Sequence, residues 1–173
     1  DKPMIYYPLS ILMLSGIKDI QIVINPNEKN QFEKIIGNPK HLGIKISYVI
    51  QKKPNGIGEV FKISKNFIEN KKFCMILGDN FFYGQALSSY LEHIQAHESG
   101  CLAFCYPVNN IENFGILEKI KNSLKVIEKP MKSNSNMAVT GLYVFDKNSI
   151  SLAKKFKKSK RGELEIINVL NNY

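Results

Sequence analysis

One short apolar run, Phe73–Leu77, most constrains the fold that this chain can adopt. Five consecutive apolar residues are too few for a globular helix and are typical of a strand that is buried on both faces. The run is followed at once by Gly78, Asp79 and Asn80. Ligands of open α/β sheets bind beyond the carboxyl ends of the strands, so Asp79 is a candidate site residue. These residue types are also common in ordinary turns, and the tripeptide alone is compatible with both interpretations.

Strand-like and helix-like segments alternate through the first part of the chain. Strands are predicted at 19–24, 45–50, 73–77 and 102–106, and helices at 4–14, 28–36, 58–68 and 87–98. This alternation indicates parallel strands joined by right-handed crossovers. The later segments are a predicted hairpin at 115–120 and 124–128, a strand at 137–145, and helices at 148–156 and 164–170. The sequence therefore predicts an α/β fold whose central sheet is mixed and mostly parallel.

The composition narrows the class of protein. The net charge of +9, from 24 Lys and Arg against 15 Asp and Glu, favours anionic partners. The lysines are dispersed and no basic stripe is interleaved with aromatic residues, so a nucleic-acid-binding protein is disfavoured. No apolar run approaches the roughly 20 residues that span a bilayer, so no membrane partner is expected. The three cysteines, all in apolar runs, indicate reduced thiols in a cytoplasmic protein.

Polar groups suited to ligand binding follow several of the predicted strands. The amide of Gln51 offers both a donor and an acceptor, enough to bind the edge of a pyrimidine, and Gly56 allows a close backbone approach. Asp79 could hold Mg²⁺, which usually takes one or two carboxylates and completes its shell with water and phosphate. Glu128 could accept sugar hydroxyls, and the ammonium of Lys129 could contact phosphate. Each of these residues also has an ordinary surface interpretation, which the pattern leaves open.

Two further patterns accompany predicted helices. Arg161 and Gly162 precede Glu163 and a helix, an arrangement suited to phosphate recognition, although Arg161 also continues a solvated basic run. His93 and His97 lie four residues apart on one predicted helix, which is metal-ligand spacing. Because no third ligand accompanies the pair, a metal site there is disfavoured.

Seven segments of the chain, taken in order, resemble sugar-nucleotide pyrophosphorylases of the glucose-1-phosphate thymidylyltransferase family. Together they extend over nearly the whole sequence. They are Asp1–Ser10, Gln51–Gly56, Leu77–Gly84, Asn113–Gly115, Glu128–Pro130, Val139–Tyr143 and Arg161–Ile166.

The resemblance implies a fold and a reaction. The fold is that of the nucleotide-diphospho-sugar transferases, a Rossmann-like three-layer sandwich. The reaction is Mg²⁺-dependent transfer of dTMP from dTTP to glucose 1-phosphate, which yields dTDP-glucose and pyrophosphate for deoxysugars such as rhamnose and for surface polysaccharides. The family also implies a homo-oligomer, in this case a tetramer.

The same resemblance assigns roles to individual residues. The nucleotide would be bound by Gln51, Gly56 and Asp79, and Asp79 would hold the metal. Asp79, Lys129 and Arg161 would form the catalytic set, with Lys129 and Arg161 on phosphate groups. The sugar phosphate would be bound by Gly115, Glu128, Lys129, Val139 and Gly141.

Departures from the family pattern qualify this interpretation. The glycine-rich loop and first strand of the family do not precede Asp1, and a second metal-binding Asp would lie beyond Tyr173. Glu59 and Asn168 stand where the family usually has Gln and Asp. We therefore expect residues 1–173 to form one incomplete nucleotidyltransferase domain with little or no turnover by itself. The alternatives are a uridylyl- or cytidylyltransferase for another sugar phosphate and a non-catalytic nucleotide-sugar-binding module.

Overall fold

The computed structural model describes residues 2–154, 158–159 and 162–173. Its helices are α1 (Tyr6–Leu14), α2 (Lys29–Ile36), α3 (Val60–Ile63), α4 (Lys65–Ile68), α5 (Leu87–Ala96), α6 (Ser149–Ala153) and α7 (Ile166–Leu170). Its strands are β1 (Asp19–Ile24), β2 (Lys45–Ile50), β3 (Phe73–Ile76), β4 (Cys101–Pro107), β5 (Gly115–Ile120), β6 (Ser123–Glu128) and β7 (Met137–Phe145). Short 3₁₀ segments at Pro39–Leu42, Ile57–Glu59 and Ile111–Asn113 lie in the connections.

A parallel two-stranded sheet opens the fold. β1 and β2 pair in register along their whole lengths, as the strand–helix–strand pattern predicts. Alternate residues of β1, namely Ile20, Ile22 and Ile24, are buried because side chains of a strand alternate between its faces. They pack with Leu9 of α1 and Ile36 of α2.

β7 is the central strand of the second sheet. It runs antiparallel to both β3 and β4, which lie on its opposite edges, so Phe145 is opposite both Phe73 and Cys101. β5 also pairs with β7, through Ile116 and Ala138. In the described part of the chain, the second sheet is therefore built from antiparallel pairs, and only β1–β2 is parallel. The α/β class is as predicted, but fewer strands pair in parallel than expected because β7 separates β3 from β4.

Helices cover both faces of β7. Tyr143 and Phe145 point to one face and pack with Phe61 of α3 and with residues of α6 and α7. Leu142 and Val144 point to the other face, against residues of α1 and α5. This double coverage explains why β7 is apolar at nearly every position. The result is the expected three-layer arrangement of helices, sheet and helices.

The predicted hairpin is present. β5 and β6 pair from Gly115 opposite Glu128 to Ile120 opposite Ser123, one residue longer than predicted. The connecting turn is two residues long, and Lys121 has a φ of +55°. Left-handed backbone at this position is typical of tight hairpin turns, whose twist matches that of the strands.

Helices are the elements that the sequence predicted least well. The helix expected at 58–68 is divided into a 3₁₀ segment, α3 and α4, with the break at Ser64. α1 begins at Tyr6, so Pro3 precedes it and Pro8 lies in its first turn, where its missing N–H leaves no helical bond unmade and no kink is required. α5 has ten residues, and no helix of the described residues is long and apolar enough to cross a membrane.

Asp146, directly after β7, links the end of this strand to neighbouring segments through hydrogen bonds. Its carboxylate accepts hydrogen bonds from the backbone N–H groups of Gly100 and Asn148, both at 2.8 Å, and from the hydroxyl of Tyr173 at 2.9 Å. Burial alone would raise the pKa of Asp146, but these hydrogen bonds outweigh burial and lower it. The carboxylate therefore ties β7 to the start of β4 and to the last described residue.

Candidate functional site

Asp79 lies exposed in the turn that follows β3. Its neighbour Asn80 holds this turn with both ends of its amide. The Asn80 Nδ2 donates to Asp79 Oδ1 at 2.9 Å, and the Asn80 Oδ1 accepts from the backbone N–H of Gly141 at 2.8 Å. The N–H of Leu77 donates to the carbonyl of Gly141 at 2.8 Å. The carboxylate of Asp79 is therefore carried by a turn that is anchored to the central strand.

Gly141 is required by this anchoring. A Cβ at this position would lie 2.7 Å from Leu77 Cγ and 2.8 Å from both Cγ and Nδ2 of Asn80. The missing side chain lets the Asn80 amide lie directly on β7. Gly141 was predicted to bind the sugar phosphate, and the structure adds that it positions the turn that carries Asp79.

Gln51 follows β2, and its side chain is held by its own loop. Its Nε2 donates to Glu59 Oε2 at 2.8 Å and to the carbonyl of Gly56 at 3.3 Å. Asn55 Nδ2 donates to the other carboxylate oxygen, Glu59 Oε1, at 2.8 Å. Burial alone would raise the pKa of Glu59, but the hydrogen bonds from Asn55 and Gln51 and the charge of Lys62 lower it. Glu59 is therefore an ionised acceptor to which both amides donate.

The loop after Gln51 is also fastened to the segment before α7. The N–H of Gly58 donates to the carbonyl of Leu164, and the N–H of Leu164 donates to the carbonyl of Asn55, both at 2.7 Å. Gly56 has a φ of +92°, and a Cβ there would lie 2.7 Å from the same Leu164 oxygen. We call residues 55–58 together with Leu164 the loop clamp. Gly56 was expected to allow a close approach of the backbone to a ligand, and in the structure its close neighbour is the carbonyl of Leu164.

A cavity of about 360 Å³ lies between β1 and β3. It is lined on the strands by Ile20, Ile22, Cys74 and Ile76, and elsewhere by Gln51, Gly56, Leu77 and Gly78. The two predicted nucleotide-binding residues of the Gln51 loop therefore share one cavity with the residues that immediately precede Asp79. The cavity runs along both strands from Asp19 and Phe73, and Gln51, Gly56 and Gly78 lie at its end nearest the carboxyl termini of the strands, where ligands of such sheets are expected.

Gly115 and Glu128 face each other across the β5–β6 hairpin. A Cβ at Gly115 would lie 3.0 Å from Ile167 Cδ1 of α7 and 3.6 Å from Glu128 Oε2. Glu128 is exposed, and its charge adds to burial in raising the pKa of Tyr143. The glycine therefore leaves room for α7 beside the Glu128 carboxylate.

Lys129 ends the alternation of β6. Its φ is +44°, in the left-handed region that non-glycine residues rarely adopt, and its N–H donates to the carbonyl of Phe114 at 2.9 Å. A regular strand would send consecutive side chains to opposite faces. The left-handed backbone at Lys129 interrupts this alternation, so strand geometry does not force Glu128 and Lys129 onto opposite faces.

Some of the sugar-phosphate candidates share one face of the second sheet. The pairing of β4 with β7 shifts register between Val139 and Tyr143, so strand alternation alone does not assign Gly141 to a face. Val139 packs on the same apolar cluster as Tyr143. Val126, which precedes Glu128 by two residues on β6, belongs to this cluster too. The structure thus groups Gly115, Glu128 and Val139 on the side of the sheet that α7 covers.

Some predicted residues are not joined to the site. Arg161 lies outside the described residues. α5 ends at Ala96, and His97 is its C-cap residue, whose N–H donates to the carbonyl of His93 at 3.0 Å. Among the described residues, no group of three or more His, Cys, Asp or Glu side chains could hold a metal ion. Asp79, exposed in the turn after β3, therefore remains the candidate metal-binding carboxylate.

Sequence reasoning assigned no role to three contributors. Asn80 was considered a turn residue, Glu59 a departure from the family pattern, and Leu164 the start of a helix. The signal for Asn80 was present, because an Asn directly after a strand often bonds nearby backbone. The roles of Glu59 and Leu164 depend on contacts between segments far apart in sequence, which local patterns do not contain.

Comparison with known proteins identifies the class. The nucleotidyl transferase family model matches residues 1–173, and the chain belongs to this family. It is 43% identical over its whole length to the curated glucose-1-phosphate thymidylyltransferase of Neisseria meningitidis, and 42% identical to that of Xanthomonas campestris. The chain spans 61% and 59% of the lengths of these two relatives. The predicted resemblance is thus confirmed.

Solved structures agree on the fold. A Bacillus anthracis protein assigned as a glucose-1-phosphate thymidylyltransferase, crystallised with sucrose, superposes with a TM-score of 0.84 at 30% identity. The match covers 96% of this chain and 68% of that one. A UDP-glucose pyrophosphorylase bound to UDP-glucose gives a TM-score of 0.79 at 21% identity, over 98% of this chain and 74% of that one, a likeness of fold alone. The predicted nucleotide-diphospho-sugar transferase fold is confirmed.

Proposed function

We propose that the protein carrying this chain transfers dTMP from dTTP to glucose 1-phosphate, giving dTDP-glucose and pyrophosphate. The observation that carries the proposal is the 43% identity to a curated thymidylyltransferase over the entire chain. The geometry supports it, because Gln51 and Gly56 line one cavity with Gly78, directly before Asp79. We further propose that residues 1–173 belong to a single nucleotidyltransferase domain.

The chemistry is a displacement at phosphorus. A phosphate oxygen of glucose 1-phosphate forms a bond to the α-phosphorus of dTTP, the bond from that phosphorus to the bridging oxygen breaks, and pyrophosphate leaves. No proton needs to be removed from an attacking phosphate that is already anionic. Catalysis in such a step depends mainly on positioning and on neutralising charge. The protein's task is therefore to hold two anionic substrates in line.

Individual residues divide this task. Gln51 binds the base, because its amide is fixed beside the cavity by Glu59. Glu128 accepts hydroxyls of the sugar. The ammonium of Lys129 contacts phosphate at the end of β6, and Arg161 supplies a second phosphate contact. Cations that contact phosphate offset the negative charge that would otherwise keep the two substrates apart.

Gly115, Val139 and Gly141 complete the sugar side of the site. Gly115 lies opposite Glu128 and allows Ile167 of α7 to approach, and Val139 packs on the apolar cluster beside it. Gly141 has the additional task of seating Asn80, which in turn holds Asp79. The sugar side and the metal side of the site thus share β7 as a common support.

Asp79 suits a Mg²⁺ ion. Its carboxylate is exposed, and one of its oxygens already accepts a hydrogen bond from Asn80, which fixes its orientation. A lone carboxylate fits an ion that takes most of its remaining ligands from water and phosphate. When bound, Mg²⁺ would neutralise charge on the triphosphate. We propose Mg²⁺ as the cofactor, a cytoplasmic location for the protein and a homo-oligomeric, tetrameric assembly.

The test is a pyrophosphate-release assay on the full-length gene product. With dTTP, glucose 1-phosphate and MgCl₂ we expect release of one pyrophosphate for each dTDP-glucose formed. Asp79→Ala should lower turnover by at least about 100-fold, the scale of losing a principal electrostatic contact to the reacting groups. Glu69→Ala, which removes an exposed carboxylate paired with Lys65, serves as the control. Near-normal turnover of Asp79→Ala would remove the metal role.

A uridylyltransferase is the second candidate. The structural likeness to a UDP-glucose pyrophosphorylase shows the fold alone, but Gln51 can bind uracil as well as thymine. The same assay run with UTP separates the two. A kcat/KM for UTP above that for dTTP would replace the proposed nucleotide.

A further inference from the structure

We propose that Glu59 positions Gln51 so that the amide carbonyl faces the nucleotide and selects bases with an imide N–H, thymine or uracil, over cytosine. The inference rests on the proposed function, since it names which bases that site accepts. It assigns a role to Glu59, which lies in the loop after β2 and contacts Gln51, and this role does not require Glu59 to touch the base. Glu59 is thus a positioning residue that acts through Gln51.

The hydrogen bonds of the loop determine the amide orientation. A carboxylate accepts hydrogen bonds and cannot donate them when ionised. With Glu59 Oε2 at 2.8 Å, the Gln51 group that faces it must be the NH₂ and not the carbonyl. The second N–H of that NH₂ is directed to the carbonyl of Gly56, another pure acceptor, at 3.3 Å. Both donors of Gln51 are therefore consumed inside the loop.

The carbonyl of Gln51 is what remains for a ligand. Among the described residues, none donates a hydrogen bond to Gln51 Oε1, and Gln51 lines the cavity between β1 and β3. An isolated Gln could turn its amide by 180° and present either a donor or an acceptor. Here a flip would put the carbonyl against the carboxylate of Glu59. The site therefore offers a fixed acceptor.

A fixed acceptor distinguishes the pyrimidines. Thymine and uracil carry a hydrogen on N3, whereas N3 of cytosine is itself an acceptor. In a pose set by the sugar and phosphates, cytosine would place its N3 lone pair against the Gln51 carbonyl. Sites built to bond one polar group reject an analogue that leaves that group unpaired by large factors.

The supports of Glu59 make it suited to this role. Asn55 Nδ2 donates to its second oxygen at 2.8 Å, so the carboxylate is held from both sides. Lys62 and Lys158 add positive charge, and the pKa of Glu59 is lowered, so the group stays ionised at neutral pH. The loop clamp to Leu164 fixes the backbone around it. Orientation is thus maintained before any nucleotide binds.

The experiment compares kcat/KM for dTTP and dCTP, with glucose 1-phosphate, in the full-length gene product. The wild-type protein should prefer dTTP by at least about 100-fold. Glu59→Lys presents donors only, which favours the flipped amide, so the preference should fall at least about tenfold. Glu59→Gln keeps an acceptor oxygen and should stay within about threefold of the wild-type ratio. Glu69→Lys makes the same charge change on an exposed surface and should leave the ratio unchanged.

Each outcome has a defined meaning. Equal use of dTTP and dCTP by the wild type, or an unchanged ratio in a folded Glu59→Lys variant, overturns the role of Glu59 while the transferase function stands. If Glu59→Lys does not fold, Glu59→Met takes its place, with the same expected direction. Absence of pyrophosphate release with every triphosphate overturns the proposed function. Calorimetric titration of dTMP and dCMP then still measures base preference, and equal affinities refute the inference by themselves.

Discussion

The contact between Gly141 and Asn80 allows a sharp test of how the site is held. Gly141→Ala adds one methyl group where Leu77 Cγ would be 2.7 Å away and two atoms of Asn80 would be 2.8 Å away. These distances are far inside van der Waals contact, so Asn80 must leave β7. Gly78→Ala is the matched control, because its Cβ would have no neighbour within 4 Å and its φ is not left-handed.

The expected cost follows from two contributions. Inserting a methyl group into packed surroundings costs about 1–3 kcal/mol. Losing the bond from the Gly141 N–H to Asn80 adds about 1 kcal/mol. For a chain of this size, a total near 3 kcal/mol lowers the melting temperature by roughly 6–12 °C. Gly78→Ala should change the free energy of unfolding by less than about 0.5 kcal/mol.

Urea denaturation, followed by circular dichroism, gives the free energy of unfolding of both variants. The turnover assay reports on the turn that carries Asp79. Asp79 should lose its fixed orientation in Gly141→Ala, so turnover per folded molecule should fall along with stability. Equal stability of Gly141→Ala and Gly78→Ala would refute the steric argument. Reduced stability with unaffected turnover would refute the claim that Asn80 positions Asp79.

Three further perturbations follow from the described contacts. Gly56→Ala, whose Cβ would lie 2.7 Å from the Leu164 carbonyl, should raise the KM for the nucleotide at least about tenfold. Asp146→Asn should have a lower free energy of unfolding than the wild type at pH 7, and this difference should disappear on acidification. Because the pKa of Asp146 is lowered in the folded state, its stabilising contribution is complete above about pH 4 and is lost as the pH falls through the folded pKa. Cys74, whose pKa burial raises to about 12, should react with iodoacetamide at pH 8 only after unfolding.

Each of these three predictions has its own control or contradicting outcome. Gly43 has a φ of +70° and no neighbour for a Cβ, so Gly43→Ala isolates the backbone cost, and an equal KM effect there would remove the clamp from the explanation. Unfolding curves at pH 7 and pH 3 that give one constant difference between Asp146→Asn and wild type would contradict the linkage. Mass spectrometry locates the alkylated thiols, and rapid labelling of native Cys74 would contradict its raised pKa.

The sequence was sufficient wherever a local pattern determines the structure. The bounds of β1, β2 and β7 were predicted correctly, because apolar runs of strand length ended at turn residues. The hairpin was marked by a short polar turn, which was predicted as three residues and is two residues long because Ser123 pairs with Ile120. Each of these elements depends on residues within a few positions of one another.

Pairing and positioning depend on distant residues. Nothing in the run that forms β3 specifies that β7, rather than a parallel neighbour, lies beside it. The break at Ser64, which ends α3 and begins α4, occurs in a sequence with helical periodicity, and that local pattern does not predict it. For the site, the sequence provided Gln51, Asp79 and Glu128 as candidates, but it did not contain the contacts of Gln51 with Glu59 and of Asp79 with Asn80.

The position of β7 determines the order in which the sheet can be completed. β3 and β4 are synthesised well before the strand that lies between them, with about 60 residues separating Ile76 from Met137. At ribosomal rates of about 5–20 residues per second, the edge of β3 stays unpaired for roughly 3–12 s. During that interval Phe73, Met75 and their neighbours are open to pairing with other nascent chains. Slowing translation before residue 137 should therefore lower the yield of folded protein, and a chaperone that binds extended apolar segments should restore it.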